Sequence, residues 1–143
     1  MTLWRLSGRP RIFVDTSGFF ASLNERDANH EAARAITSRL VATQAELVTT
    51  NFTVAEAHAL MMRRLGHRAG LLFLDSFAGG NTSVIRASIN DESHAIDIIR
   101  RYTDKDFSLT DAISFAIMER LGITQAFSFD SDFAQYGFNI LRP

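Results

Sequence analysis

Four acidic residues lie at the boundaries of apolar segments in this 143-residue chain: Asp15, Glu56, Asp111 and Asp130. Carboxylates transfer protons and bind cations. Two ionised carboxylates about 4 Å apart repel by roughly 4 kcal/mol at an effective dielectric of 20. If the four meet in the folded chain, a divalent cation would relieve that repulsion. A site built only from oxygen ligands favours Mg²⁺ or Mn²⁺, ions that commonly act on phosphate esters.

The segments that must position these acids are short apolar runs alternating with helical patterns. The predicted strands are Arg11–Val14, Glu46–Thr49, Thr82–Arg86, Ala126–Phe129 and Asn139–Leu141. The predicted helices are His30–Ala42, Thr53–Leu65, Ala69–Phe77, Asn90–Tyr102 and Thr110–Leu121. Strands separated by helices favour right-handed crossovers and a parallel sheet covered on both faces. We therefore expect a three-layer α/β/α fold with a central parallel sheet, formed by residues 11–143 as one domain after an N-terminal extension, residues 1–10.

All four acids are expected at the carboxyl edge of this sheet, where open α/β folds bind their ligands. Asp15 ends the first predicted strand and Asp130 follows the fourth. Glu56 lies in the first turn of the helix after the second strand. Asp111 opens the helix before the fourth strand, and that helix runs antiparallel to the strand. The sequence therefore predicts one shared acidic site.

Helix capping is the alternative explanation for each acid taken singly, because helix N-termini favour acidic and hydroxyl side chains. Asp15 could cap a short helix, and Thr53–Glu56 has the spacing of a capping box. Asp111 follows the possible cap Thr110, and Asp130 or Asp132 could cap the turn that follows. Capping does not explain why acids mark four elements that meet at one edge.

The composition excludes several other kinds of site. The chain has no cysteine, which rules out disulfides, thiolate zinc sites, iron–sulfur clusters and a cysteine nucleophile, and which suits a reducing cytoplasm. Fifteen basic and sixteen acidic residues leave a net charge of −1, so any contact with nucleic acid must be local. The sequence shows neither a signal peptide nor an apolar run of about 20 residues, and we expect a soluble cytoplasmic protein without membrane contact.

Four segments around the acids resemble the PIN-domain family, specifically its small single-domain ribonucleases of the VapC toxin kind. The resemblance spans about residues 11–142. The matching segments are Phe13-Val14-Asp15-Thr16-Ser17, Asn51-Phe52-Thr53-Val54-Ala55-Glu56, Phe107-Ser108-Leu109-Thr110-Asp111-Ala112-Ile113-Ser114-Phe115 and Ser128-Phe129-Asp130-Ser131-Asp132-Phe133. The last two segments are the most specific of the four.

The resemblance implies a Mg²⁺- or Mn²⁺-dependent endoribonuclease. It implies metal binding by the residues at positions Asp15, Glu56, Asp111 and Asp130, all of which are acidic here. Attack by water on phosphorus would leave 5′-phosphate and 3′-hydroxyl ends. The resemblance further implies a homodimer and a cognate antitoxin, one segment of which covers the acidic pocket. We expect the toxin of a type II toxin–antitoxin pair.

Other residues are expected to support this site. Ser17 and Ser128 resemble the hydroxyl residues that flank the metal site in the family, although a helix cap would explain each serine as well. Asp132 is treated as an accessory acid. A group of arginines could guide an RNA backbone toward the metal, although a solvated face explains them equally: Arg63, Arg64 and Arg68. Phe129 lies within a predicted strand, which favours core packing over base stacking.

The helix Ala69–Phe77 is more apolar than one buried face requires. Its large apolar residues are Leu71, Leu72, Phe73, Leu74 and Phe77. An excess of this kind suits a partner surface, and we expect this helix at or near a homodimer interface.

Four other kinds of protein share part of this pattern. A phosphoacceptor receiver domain needs a lysine after its last strand, but the only lysine, Lys105, precedes the fourth predicted strand. A haloacid-dehalogenase-like phosphatase needs Asp-x-Asp after its first strand, whereas Asp130-Ser131-Asp132 follows the fourth. Two alternatives remain open: a PIN-like binding module without turnover, and a housekeeping RNA-processing nuclease that is not a toxin. An assay of metal-dependent cleavage distinguishes the binding module from an enzyme.

Overall fold

The computed structural model describes residues 8–143 and contains one five-stranded, all-parallel sheet. Its strands are β1 (Arg11–Val14), β2 (Glu46–Thr50), β3 (Thr82–Ile85), β4 (Gln125–Phe127) and β5 (Asn139–Ile140). The order across the sheet is β3-β2-β1-β4-β5, so β1 is central and pairs with both β2 and β4. The predicted fold class is confirmed. Residues 1–7 of the expected N-terminal extension lie outside the described residues.

Seven helices connect these strands within residues 8–143. They are α1 (Thr16–Leu23), α2 (His30–Ala42), α3 (Asn51–Leu65), α4 (His67–Asp75), α5 (Ile89–Arg101), α6 (Leu109–Leu121) and α7 (Asp132–Tyr136). The bounds predicted for α2 are reproduced. Those of the other predicted helices shift by one or two residues. Helices α3 and α6 begin earlier than predicted because Thr50 and Ser108 cap them, not Thr53 and Thr110. None of these helices is long and apolar enough to cross a membrane.

The two faces of the sheet bury different sets of side chains, because successive residues of a strand point to opposite sides. Ile12 and Val14 pack with residues of α1 and α2, including Ala21 and Ile36. Phe13 faces the other side and packs with residues of α5 and α6. Helices therefore cover both faces, which gives the three layers expected from the sequence.

Strand β4 is shorter than the prediction, which extended it to Phe129. It ends at Phe127, and the residues up to Asp130 form the connection to α7. The start of α1 approaches this point closely: a Cβ atom on Gly18 would lie 2.4 Å from the carbonyl oxygen of Phe127. Only glycine allows that approach, which brings the first turn of α1 beside the end of β4.

Helix α4 leaves part of its apolar surface in solvent, as its composition predicts. Phe73 is buried and Phe77 is half-buried against the small cluster under α3. Leu71, Leu72 and Leu74 are exposed, and Leu72 retains 58% of its accessible surface. The intramolecular packing therefore uses only one side of this helix.

An ion pair fastens α5 to α6, the helix that begins next to the acidic edge. Arg120 donates two hydrogen bonds of 2.9 Å to the carboxylate of Asp91, whose side chain is 4% exposed. Asp91 also completes a capping box with Ser88 at the start of α5. Burial alone would raise the pKa of Asp91, but the hydrogen bonds from Arg120 and Ser88 and the guanidinium charge hold it below its usual value.

We predict that Asp91→Ala lowers the free energy of unfolding at pH 7 by about 2–3 kcal/mol, since it removes a mostly buried carboxylate and its partners. Asp97→Ala on the same helix breaks an exposed pair with Arg100 and should cost less than about 0.5 kcal/mol.

Because the pKa of Asp91 is lowered on folding, its contribution to the free energy of unfolding is complete above about pH 4 and is lost as the pH falls further. Urea unfolding of both variants between pH 3 and 7 measures this, and equal losses for the two variants would contradict it.

Candidate active site

Asp15 is the buried centre of the acidic edge. It follows β1 directly and is only 4% exposed. Its Oδ2 atom accepts hydrogen bonds from the hydroxyl groups of Ser17, at 3.0 Å, and Ser128, at 2.9 Å. Although Asp15 occupies the N-cap position of α1, its side chain makes no capping hydrogen bond. The capping interpretation of Asp15 is therefore wrong, and its carboxylate belongs to the site.

The same two serines hold the segment after β4 in place. The hydroxyl oxygen of Ser17 accepts from the backbone N–H of Phe129, at 2.9 Å. That of Ser128 accepts from the backbone N–H of Asp130, at 3.1 Å. Each hydroxyl thus donates to Asp15 and accepts from the backbone, which links the end of β1 to the turn that carries Asp130. The two serines lie where the sequence predicts support for the site.

Glu56 reaches the edge from the second turn of α3, not from the first. The helix begins at Asn51 directly after β2, and Thr50 caps it by accepting from the backbone N–H of Thr53 at 3.0 Å. The expected capping box Thr53–Glu56 is therefore wrong. The carboxylate of Glu56 instead accepts a hydrogen bond from the hydroxyl of Thr16, at 3.3 Å.

Asp111 combines a capping role with a place at the site. Ser108, not Thr110, caps α6: its hydroxyl accepts from the backbone N–H of Asp111, at 3.0 Å. In return, Oδ2 of Asp111 accepts from the backbone N–H of Ser108, at 3.1 Å. The capping interpretation holds for Asp111, and it fixes one carboxylate oxygen while the side chain borders the acidic cavity.

The four predicted acids line one cavity of about 190 Å³ at the carboxyl edge of the sheet. The full lining comprises Asp15, Thr16, Ser17, Phe20, Asp27, Asn29, Glu56, Leu60, Asp111, Phe129 and Asp130. The convergence of four acids from four elements is thus present in the structure.

The remaining predicted residues lie around this cavity or away from it. Asp132 does not line it but donates its backbone N–H to Oδ1 of Asp130, at 3.1 Å, and begins α7. Arg63, Arg64 and Arg68 lie on α3 and α4, are exposed and line no part of the cavity. Within residues 8–143 none of the three forms an ion pair.

The acids affect one another electrostatically. Burial raises the pKa of Asp15, and the charge of Asp111 raises it further. The hydrogen bonds from the two serine hydroxyls lower it, but by less than burial raises it. Burial also raises the pKa of Glu56, and the neighbouring carboxylates raise it further. The pKa of Asp132 rises to about 7 because of burial and the charges of Asp130 and Asp111. Such mutual repulsion between oxygen ligands is the condition that a divalent cation relieves.

The candidate ligand atoms are of the kind that a hard divalent cation prefers, since every one is a carboxylate or hydroxyl oxygen. As they stand, no three acidic or imidazole side chains among residues 8–143 are arranged to hold an ion. Asp15 is fixed by its two serines, whereas Glu56 is exposed and accepts one hydrogen bond, from Thr16. The residues that would hold an ion are therefore one fixed inner carboxylate and more exposed outer ones.

Sequence reasoning missed several residues of the cavity. Phe129 was expected in the core of a strand, but β4 ends two residues earlier and Phe129 lines the cavity. Asn29 precedes α2 and would be read as a simple cap. Phe20 and Leu60 follow helical periodicities that indicate only core packing. None of these four carries a local sequence signal that separates a cavity wall from a core position.

A parallel five-stranded sheet with acids converging at its carboxyl edge is the architecture expected of a PIN domain. The PIN-domain family model matches residues 12–139, and the chain belongs to this family. It is 36% identical over 133 residues to a Mycobacterium tuberculosis protein named 23S rRNA-specific endonuclease VapC20, covering 92% of this chain and 98% of that protein. It is 26% identical to Ribonuclease VapC26 of the same species, covering 92% of this chain and 93% of the relative.

Solved structures agree with this assignment. The crystal structure of M. tuberculosis VapC20, described as a sarcin-ricin loop cleaving toxin, superposes with a TM-score of 0.83 at 35% identity, covering 92% of this chain and 99% of that one. A toxin–antitoxin complex from Klebsiella pneumoniae matches with a TM-score of 0.63 at 15% identity, covering 91% and 95% of the two chains. The second match concerns the fold alone.

We predict that Asp15→Asn raises the stability of the protein in metal-free buffer at pH 7 by about 1 kcal/mol. The amide oxygen can still accept from Ser17 and Ser128, while the buried charge and its repulsion with Asp111 disappear. Asp75→Asn, on the exposed end of α4, is the matched control and should change stability by less than about 0.5 kcal/mol. Thermal melts in EDTA test this, and a clear loss of stability in Asp15→Asn would indicate a purely structural carboxylate.

Proposed function

We propose that this protein is a metal-dependent endoribonuclease and the toxin of a type II toxin–antitoxin pair. The observation that carries the proposal is the convergence of four carboxylates on one cavity at the carboxyl edge of the sheet. Its strongest support from relatives is the near-full-length similarity to a named rRNA endonuclease. A cytoplasmic location agrees with a chain that lacks cysteine.

The residues that would hold Mg²⁺ or Mn²⁺ are Asp15, Glu56, Asp111 and Asp130. The chemistry that such an ion supplies is activation of water and neutralisation of charge on the phosphate. Asp15 is the rigid member of the set, since Ser17 and Ser128 fix its Oδ2 atom.

The outer acids, Glu56 and Asp130, are exposed and are the ones that an incoming phosphodiester meets first. Asp132 supports Asp130 from the first turn of α7. Because water attacks phosphorus and the 3′-oxygen leaves, the products carry 5′-phosphate and 3′-hydroxyl ends, and the ribose 2′-hydroxyl is not the nucleophile.

The substrate to test first is 23S rRNA, because a relative 36% identical to this chain is named for acting on it. Arg63, Arg64 and Arg68 are proposed contacts for the RNA backbone outside the cavity, where their unpaired charges are accessible to phosphates. A housekeeping processing nuclease would share this site and these contacts. A binding module without turnover would not require four carboxylates that repel one another.

We predict that the protein cleaves RNA in Mg²⁺ or Mn²⁺, stops in EDTA, and yields 5′-phosphate ends. Asp111→Asn and Asp130→Asn should each lower the rate by about 100-fold or more, since each removes a charge that the cation needs, and Asp75→Asn should leave it unchanged. End labelling and gel analysis of the products provide the measurement. Cleavage that persists in EDTA, or 2′,3′-cyclic phosphate ends, would contradict the mechanism.

We also propose two protein partners. The first is a cognate antitoxin, because a solved structure 35% identical to this chain is described as a toxin. The second is another copy of this chain, bound through the exposed leucines of α4. Beside Leu72 lies an apolar groove of about 220 Å³, whose other walls include Leu23, Met61 and Leu65.

We predict a homodimer in solution, with a mass near twice the 16.0 kDa of one chain. Leu72→Glu should give a monomer, because it places a charge in an apolar interface. Ile89→Glu alters a more exposed aliphatic residue on α5 and should leave the dimer intact. Light scattering distinguishes these states, and a wild-type monomer at high concentration would disprove the proposed dimer.

A further inference from the structure

The acidic cavity has a second wall that the acids do not explain. It comprises Phe20 from α1, Leu60 from α3 and Phe129 from the segment after β4. Asp27 and Asn29, in the turn between α1 and α2, line the same cavity. Phenyl and aliphatic groups do not bind a cation or a phosphate, so these apolar residues suit a different part of a substrate.

The two aromatic rings on this wall are anchored but not enclosed. Phe20 is half-buried and packs against the cluster of Ala57, Met61 and Phe73. Phe129 is half-buried against the other cluster, and its ring meets that of Phe127 at a centroid distance of 5.9 Å and an angle of 72°. Within residues 8–143, Phe20 pairs with no other aromatic ring. Each phenylalanine is therefore held by packing, keeps part of its surface exposed, and lines the cavity.

Asn29 brings an uncommitted amide to the same place. It occupies the N-cap position of α2, where asparagine usually bonds to the backbone, yet its side chain makes no capping hydrogen bond. It makes no other side-chain hydrogen bond within the described part of the chain. The turn itself is fixed: Oδ1 of Asp27 accepts from the backbone N–H of Asn29 at 2.8 Å, and the ring of His30 bonds to the carbonyl of Ala21 at 2.7 Å.

We propose that this wall is a nucleobase subsite, in which the base next to the scissile phosphate stacks on Phe20 and Phe129 while the Asn29 amide bonds to its edge. The inference rests on the proposed ribonuclease function and extends it to the recognition of the substrate. Aromatic side chains stack on any base, and an asparagine amide discriminates among base edges by offering one donor and one acceptor side. Stacking therefore supplies affinity and Asn29 supplies preference.

The position of the wall favours a base over another apolar group. The acids and the two phenylalanines line one cavity, so a single bound molecule can contact both. A nucleotide has a suitable construction, with its planar base one sugar away from its phosphate. The cavity of about 190 Å³ has room for no more than one nucleotide.

The test measures binding of the four nucleoside 5′-monophosphates and of ribose 5-phosphate to the full chain in Mg²⁺ by calorimetry. We expect the tightest nucleotide to bind on the order of tenfold more tightly than ribose 5-phosphate. Phe20→Leu and Phe129→Leu keep most of the packing volume but remove the aromatic face, and each should weaken nucleotide binding several-fold without affecting ribose 5-phosphate. Asn29→Ala should narrow the differences among the four nucleotides.

Phe138→Leu is the matched control, a half-buried phenylalanine outside the cavity beside β5, and it should change neither affinity. Equal binding of all probes by a protein that cleaves RNA would overturn the subsite alone. If the probes bind too weakly to measure, the KM for RNA cleavage decides, and an unchanged KM in Phe20→Leu and Phe129→Leu would overturn it. A protein that neither cleaves RNA nor binds any probe would overturn the proposed function as well.

Discussion

Burial of the Asp15 carboxylate is the constraint around which this protein is built. A carboxylate that is 4% exposed must be compensated, and two serine hydroxyls supply that compensation. One serine lies in the first turn of α1 and the other beyond β4, so the central strand and its neighbour must end at the same level. The close approach at Gly18 makes this alignment possible. The other three acids are arranged around an inner carboxylate whose position is already fixed.

Two of the acids also show how one side chain can serve both the fold and the site. Asp111 gives one oxygen to the capping box of α6 and borders the cavity with the rest of its carboxylate. Asp130 orders the turn before α7 through Oδ1. At these two positions one side chain can bond to the backbone of a helix or turn and also line the cavity. At Asp15 the side chain makes no capping hydrogen bond, so only its place in the cavity explains it.

The sequence predicts most of the fold because its strands are short apolar runs between helical patterns, and parallel strands bring their carboxyl ends to one edge. The meeting of the four acids follows from that topology. The details that escape prediction depend on contacts between distant residues. Phe129 lies outside β4 because Ser17 holds its backbone N–H, and Arg120 meets Asp91 from another helix. Neither contact leaves a periodic signal in the chain.

The hydrogen bond between Ser128 and Asp15 joins residues 113 positions apart. It has a consequence for synthesis. A nascent chain emerging from the ribosome contains Asp15 long before Ser128 and Asp130 are translated. Until β4 is complete, the inner carboxylate lacks one of its two hydroxyl partners and the cavity lacks one of its four acids. The acidic cavity is in this way completed only after the 113 residues from Thr16 to Ser128 have been synthesised.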